Sequence, residues 1–197
     1  MQLLRHQVPG RTTIMSATET SIATGTWAID AVHSSVGFEV KHLGVSTFRG
    51  SFKDVAGTIT TANGTVTAVE GTIDTASVQT VDAALNGHLQ APDFFDSANY
   101  PQGSFRSTEV EDLGDGRLRV AGELQLRGVT RPIEIDASIS GTGGDPYGND
   151  RLGLSGSAVI DRTEFGISWN APLPNGVLTV GEKVRLVLDV SATRPAA

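Results

Sequence analysis

The sequence predicts an antiparallel, hairpin-linked, all-β domain, on three observations. First, apolar and polar residues alternate with period two: Val36, Phe38 and Val40 against Gly37, Glu39 and Lys41, and Leu118, Val120, Leu124 and Leu126 against Arg119, Ala121, Glu123 and Gln125. Such alternation gives a strand one dry and one wet face. Second, the dipeptides Asn63-Gly64, Asp115-Gly116 and Asn175-Gly176 fall between candidate strands, where a tight hairpin needs positive φ. Third, the 197 residues are 39% hydrophobic but only 6% aromatic, with 23 glycines, a composition that suits one globular domain and no coiled coil or collagen-like chain.

Taken in order, the N-terminus comes first. Met1–Ile14 reads MQLLRHQVPGRTTI, with Leu3-Leu4 as its longest apolar run, short of the about 7–15 apolar residues of a secretory signal. Met15 opens a polar, low-complexity stretch that looks like an alternative start. Residues 1–24 are therefore expected to be a disordered arm, and residues 25–197 a single domain of a soluble, cytoplasmic protein. No apolar run approaches the about 18 residues that would span a bilayer.

Strands follow around Val36–Val40, Val55–Ile59 and Val69–Ile73. Residues 81–96 break the pattern: Ala83, Ala84, Leu85, His88 and Leu89 have helical spacing, Asp82 is placed as an N-cap, and Pro92 ends or restarts the turn. Alternation resumes at Leu118–Leu126, at Ile133–Ile139 against Glu134, Asp136 and Ser138, at Leu154–Ala158, and at Val184–Val190. On four strands a glycine shares parity with the large apolar residues: Gly57, Gly71, Gly122 and Gly156. If those faces point inward, the interior is under-filled, and a barrel of about eight strands then has room for one ligand. Bending or bulging at barrel corners explains the same glycines equally well.

Charge and residue types exclude more than they include. Fifteen basic against 22 acidic residues give a net charge of −7, without the basic footprint of a nucleic-acid partner. Zero cysteines remove disulfides, thiolate nucleophiles and Cys-containing zinc sites. His6, His33, His42 and His88 are scattered, so no metal site is expected and structural histidines are. Asp30 and Ser34 beside His33 are expected to cap turns rather than form a triad. Asp93/Asp96 and Glu109/Glu111 read as surface charge, and Asp145–Asp150 as a long hairpin turn rather than a calcium loop. No cofactor is indicated, and no catalytic residue.

The ordered set Trp27-Ala-Ile-Asp30, His33-Ser34, Phe38-Glu-Val-Lys41-His42, Gly50-Ser-Phe52, Ser77-Val-Gln-Thr80, His88-Leu89, Asp93-Phe-Phe95, Tyr100-Pro101, Phe105-Arg-Ser-Thr108, Gly122–Pro132 and Asp161-Arg-Thr-Glu-Phe-Gly166-Ile167 resembles the YceI family of polyisoprenoid-binding, lipocalin-like proteins over residues 26–193. The resemblance implies an extended eight-stranded antiparallel barrel with a short helical insert near residues 81–96, enclosing a long apolar tunnel. It implies a non-catalytic protein that binds, stores or transports a long-chain isoprenoid (a polyprenyl phosphate, an isoprenoid quinone or a precursor) or another lipid, as a possible homodimer. The expected tunnel lining is Phe38, Val40, Phe52, Leu89, Phe94, Phe95, Phe105, Phe165 and Trp169. Arg127, Arg131 and Arg162 are possible head-group contacts, with pairing of Arg162 to Asp161 or Glu164 preferred. Where the family often carries Arg-Asp before His-Leu, this chain has Asn86-Gly87, which takes one charged contact out of the pattern at the barrel mouth. Two other readings stand beside the carrier: an enzyme modifying an isoprenoid through His33, His42 or His88, and a ligand-free β-domain with a stress or interaction role.

Overall fold

The computed structural model describes residues 22–171 and 173–196. Its strands are β1 (Gly25–Ile29), β2 (Ser35–His42), β3 (Ser46–Phe52), β4 (Val55–Ala62), β5 (Thr65–Asp74), β6 (Val78–Gln79), β7 (Gln102–Gly114), β8 (Arg117–Leu126), β9 (Val129–Gly144), β10 (Asn149–Asp161) and β11 (Val180–Pro195), with one α-helix, α1 (Ala83–Gln90). Strands β1, β4, β5, β7, β8, β9, β10 and β11 pair in that order, and β11 returns to β1 through Ala28↔Thr193 and Ile29↔Ala192. This is a closed, eight-stranded antiparallel barrel with a short helical insert. Strand β2 continues β1 along β11, β3 pairs with β2, and β6 pairs with β3, which lengthens the barrel on one side.

Three neighbouring strands break at one level to make that extension. A 3-10 turn at Ala31–His33 separates β1 from β2, and another at Thr75–Ser77 separates β5 from β6. Each is started by an aspartate: Asp30 accepts from the Val32 N–H and Asp74 from the Ala76 N–H, the ordinary N-cap arrangement. Between them, Lys53-Asp54 interrupts β3 and β4, and Lys53 N–H donates to the Ser77 carbonyl at 3.3 Å. Asp161 repeats the device after β10, capping a 3-10 turn over Arg162–Phe165.

The hairpins at Asn63-Gly64 and Asp115-Gly116 have positive φ at both residues, the two-residue geometry that matches strand twist. A third of the same kind, Arg127-Gly128 (φ 49° and 72°), joins β8 to β9. Asn175-Gly176 does not connect two strands. It turns within the loop before β11, where Gly176 N–H donates to the Leu173 carbonyl at 2.8 Å. Of the expected N-terminal arm, residues 1–21, with His6 and Met15, lie outside the described residues. Ile22 belongs to the barrel: it bridges to Gly64 and is 6% exposed.

The inward faces form two clusters. One is a solid plug of Ile22, Trp27, Ile59, Val66, Leu118, Leu152 and Ala192 with their neighbours. Trp27 donates its indole N–H to Thr61 Oγ1 at 2.9 Å, and the Arg194 guanidinium lies 4.9 Å from its ring centroid while bonding Asp150 at 2.8 Å. The other cluster, around Phe38, Phe52, Leu89, Phe94, Leu126, Ile160 and Phe165, surrounds open space. One half of the barrel is filled and the other is hollow.

Candidate functional site

The hollow half is a cavity of about 500 Å³, within the range of pockets that hold a small apolar ligand. Its walls come from the inward-pointing residues of the strands, which alternate with exposed polar ones. On β11, Val184, Leu186, Leu188 and Val190 line it, while Arg185 and Asp189 face out. Strands of this parity bury apolar area on one face only, so the barrel presents hydrocarbon to its own centre.

Helix α1 covers one side of the cavity. Asp82 caps it by accepting from the Ala84 and Leu85 N–H groups, and Leu85, His88 and Leu89 line the cavity. The chain then folds back: Phe95 N–H donates to the Leu89 carbonyl at 2.9 Å and Ser97 N–H to that of Gln90 at 3.0 Å, which delivers Phe94 and Phe95 to the interior. Rings meet there in tilted and edge-on contacts. Phe95 lies 6.3 Å from Phe38 and 5.3 Å from Phe52, and Phe94 and His88 lie 5.4 Å from Trp169. Edge-to-face contacts of this kind fix the ring positions.

Eight of the nine residues expected along the tunnel line this cavity: Phe38, Val40, Phe52, Leu89, Phe94, Phe95, Phe105 and Trp169. Phe165 does not. It sits on the 3-10 turn after β10, 1% exposed, and packs within the surrounding cluster. Phe48, Ile73, Ile133 and Leu186 also line the cavity. Ile73, Ile133 and Leu186 fall in alternating runs of the sequence, but nothing local distinguished them from core.

The glycines divide differently from the parity argument. At Gly122, a Cβ would stand 2.5 Å from both Phe105 Cζ and the Arg106 carbonyl oxygen, so the Phe105 ring already fills that position. At Gly156 a Cβ would come within 3.1 Å of Ile135 Cγ2, and at Gly57 within 2.1 Å of the Glu70 carbonyl oxygen. These are close approaches, not voids. Gly71 alone of the four lines the cavity, and a Cβ there would have only the Ala56 oxygen, at 3.8 Å, as a neighbour.

The three arginines also separate. Arg127 Nη1 donates to the carbonyls of Pro92 and Phe94 at 2.9 and 2.6 Å, clipping the β8–β9 turn to the segment that carries Phe94. Arg131 is exposed and bonds the Thr130 carbonyl. Arg162 lines the cavity and is 4% exposed, but Asp161 pairs with Lys183, not with it. Its guanidinium donates to the carbonyls of Gly181 (2.8 Å), Ile167 (2.6 Å) and Val180 (3.1 Å). Burial pushes its pKa below the ordinary arginine value, partly offset by Glu182 and Asp161. It staples the loop 166–179 to the start of β11, and sequence reasoning missed this because the partners are backbone atoms.

The remaining polar candidates lie off the cavity or are structurally engaged. His42 and His88 line it, whereas His33 bonds Asp30 on the outer surface at 2.7 Å. Ser34 exchanges hydrogen bonds with the Ser191 backbone, tying β2 to β11, so Asp30, His33 and Ser34 do not form a triad. Asp96 is buried rather than surface charge: its carboxylate accepts both bonds from Asn99 Nδ2. The Asp145 carboxylate is saturated by the N–H groups of Tyr147 and Asn149 and by the Asn149 and Arg151 side chains, which makes it a turn anchor. Among the described residues, no group of three or more His, Asp or Glu side chains is arranged to hold a metal ion, and no helix is long and apolar enough to cross a membrane.

Comparison with known proteins places this architecture. A UPF0312 protein of Pseudomonas savastanoi pv. phaseolicola is 36% identical over 163 residues, 82% of this chain and 85% of that protein. Among solved structures, the Campylobacter jejuni YceI protein superposes with a TM-score of 0.67 at 28% identity, over 78% of this chain and 89% of the other. Burkholderia cenocepacia BcnA gives 0.73 at 21% identity, over 83% and 99%. A polyisoprenoid binding domain from Saccharophagus degradans, implicated in plant cell wall breakdown, gives 0.63 at 18%, over 86% and 98%. The YceI-like domain profile matches residues 27–192, nearly the whole barrel, and the chain belongs to the YceI-like domain family.

Proposed function

We propose that this protein is a non-catalytic carrier that binds a long-chain isoprenoid lipid in the hollow half of its barrel. The observation that carries the proposal is the cavity of about 500 Å³, walled by alternating strand residues and closed on one side by α1, Phe94 and Phe95. Burying an apolar chain there yields about 0.8 kcal/mol per methylene, which suits a ligand that is mostly hydrocarbon. The description of the Saccharophagus degradans domain as polyisoprenoid-binding supports the same class of ligand. A polyprenyl phosphate, an isoprenoid quinone and its precursor all share the apolar tail that such walls select. Storage or transport fits the commitment of Arg162 to three carbonyls and the position of the His33–Asp30 pair outside the cavity, while a turnover reading is left with His42 and His88, which line it.

The cytoplasmic location and the homodimer are part of this proposal and rest on the sequence and the family resemblance. Light scattering after size exclusion tests the dimer. Native mass spectrometry of the purified protein, followed by organic extraction and lipid identification, tests the function. A stoichiometric polyprenyl species is expected. An empty protein that also refuses added polyprenyl ligands overturns the carrier and leaves the barrel standing.

A further inference from the structure

We propose that two turns beside the cavity form a rim that docks on an anionic lipid bilayer, so that the ligand passes between membrane and barrel without crossing water. This inference rests on the carrier reading and names the surface through which the carrier loads. The cavity lining reaches the surface at Lys41, His42 and Ser46, all exposed, beside Trp169 and Thr179. Two turns lie side by side there: Leu43-Gly44 between β2 and β3, and Leu173–Val177 before β11. Leu43 N–H donates to the Thr179 carbonyl at 2.9 Å, and a Cβ on Gly44 would stand 3.9 Å from Val177 Cγ1. Arg162, through the Ile167, Val180 and Gly181 carbonyls, holds the loop that carries the second turn.

The residues at these turns are not the ones that tight turns or wet surfaces select. Leu43 and Gly44 both have positive φ (54° and 71°), and Val45 N–H donates to the His42 carbonyl at 3.0 Å. Asparagine followed by glycine is the ordinary pair for that geometry, and a leucine held there is strained. Val45, next in the chain, is 85% exposed, and Leu173 is 39% exposed. Residues 165–181 carry no charged side chain, and residues 40–53 carry Lys41, Arg49 and Lys53 but no carboxylate, in a chain with 22 acidic residues. Arg49 is paired with Glu39 at 2.8 Å, whereas Lys41 Nζ donates to the neutral Thr47 hydroxyl at 3.1 Å. An apolar tip bordered by cations matches the surface of an anionic bilayer: hydrocarbon enters the acyl boundary while lysine stays among the head groups. Rim-to-rim pairing with a second copy would instead set like charges against each other around the same tip.

The test is flotation of the full chain with phosphatidylcholine–phosphatidylglycerol vesicles. The protein should float, and Val45→Asp combined with Leu173→Asp should lower its partition at least about tenfold, the equivalent of one valine side chain withdrawn from hydrocarbon. Tyr147 is 85% exposed on the turn beside Asn149, which pairs with Pro195 at the far end of β11, and Tyr147→Asp should leave the partition unchanged. Leu43→Asn gives the turn its ordinary residue, so thermal stability should hold or rise while the partition falls about threefold or more. A purely structural role would move both in the same direction. A fluorescent fatty-acid probe added from solution should bind the parent and the rim variants alike. A parent that fails to float, or a double variant that floats as well as the parent, overturns the docking, and probe binding by that parent leaves the carrier standing. Flotation without uptake of any probe or polyprenol overturns the carrier and leaves the rim as a membrane contact. Partition lowered equally by Tyr147→Asp, or a rim that instead forms a concentration-dependent dimer broken by Val45→Asp, also overturns the docking.

Discussion

Substituting leucine at Gly71 and at Gly122 separates cavity from core at two positions that look alike in sequence. At Gly71 the backbone is extended, and a Cβ would have only one neighbour, 3.8 Å away. A leucine there adds four carbons to a wall of the cavity. A ligand that fills the cavity then loses about four carbons of burial, about 3 kcal/mol, and binds roughly 100-fold more weakly. Stability should hold or rise by about 0.5–1 kcal/mol as glycine leaves a strand interior. Gly122→Leu should do the reverse. Its Cβ would meet a backbone carbonyl oxygen at 2.5 Å, which cannot swing aside, and overpacking of this sort costs about 1–3 kcal/mol or more. Thermal unfolding, together with uptake of a polyprenol by displacement of a fluorescent probe, reads both effects. A folded Gly71→Leu protein with undiminished uptake would refute the assignment of that space to the ligand. A Gly122→Leu protein as stable as the parent would refute the packing of Phe105 over Gly122.

Three further outcomes follow from the polar contacts. Arg162→Met leaves three carbonyls without their donor and should cost about 3–5 kcal/mol in urea unfolding, since bonds to a charged donor are worth about 1.5–3 kcal/mol each and part is recovered as desolvation; a loss below about 1 kcal/mol would contradict the staple. The bonds from His33 and Arg151 hold the Asp30 carboxyl down at about 2, against an ordinary 3.8. Its contribution is therefore complete above about pH 4 and lost as the pH falls through about 2, and Asp30→Asn should flatten the acid limb of the stability curve in that window, with a cost of about 1 kcal/mol at neutral pH. The lowered carboxyls of Asp112, Asp145 and Asp161 should keep some acid dependence in the variant. Arg127→Asn preserves a side chain tolerant of φ 49° but removes the clip to Pro92 and Phe94. Stopped-flow displacement should show faster ligand release with unfolding nearly unchanged, and an unaltered release rate would separate the clip from access to the cavity.

The alternation of β8 and β11 and the capping aspartate of α1 were legible in the sequence because each is a local pattern with a local cause. The Arg127-Gly128 hairpin was not, since arginine carries no turn preference and is held at positive φ by the two carbonyls it grips. Parity tells which residues face inward, but not what stands across from them. Gly71 and Gly122 have the same parity signature, but the Phe105 ring and the Arg106 carbonyl oxygen fill the space over Gly122, whereas over Gly71 the nearest atom stands 3.8 Å away. Position along the barrel is equally silent: Trp27, on β1, lies in the plug, and Trp169, in the loop before β11, lies at the cavity. Phe165 was misplaced for a related reason, because a 3-10 turn after β10 removes it from the alternation that governs its neighbours.

Closure of the ring through β11 and β1 has a bearing on how this chain behaves in a crowded solution. A sheet that returns to itself offers no row of unpaired amides to another chain, and long free edges are what template strand-by-strand polymerisation. The lengthened side of the barrel breaks that closure, because the order there ends at β6. That last strand is two residues long, Val78–Gln79, and leads directly to α1, which packs against it while Gln90 Nε2 reaches the Ala76 carbonyl at 2.9 Å. The helix that shields the hydrocarbon space thus also blunts the free margin of the sheet.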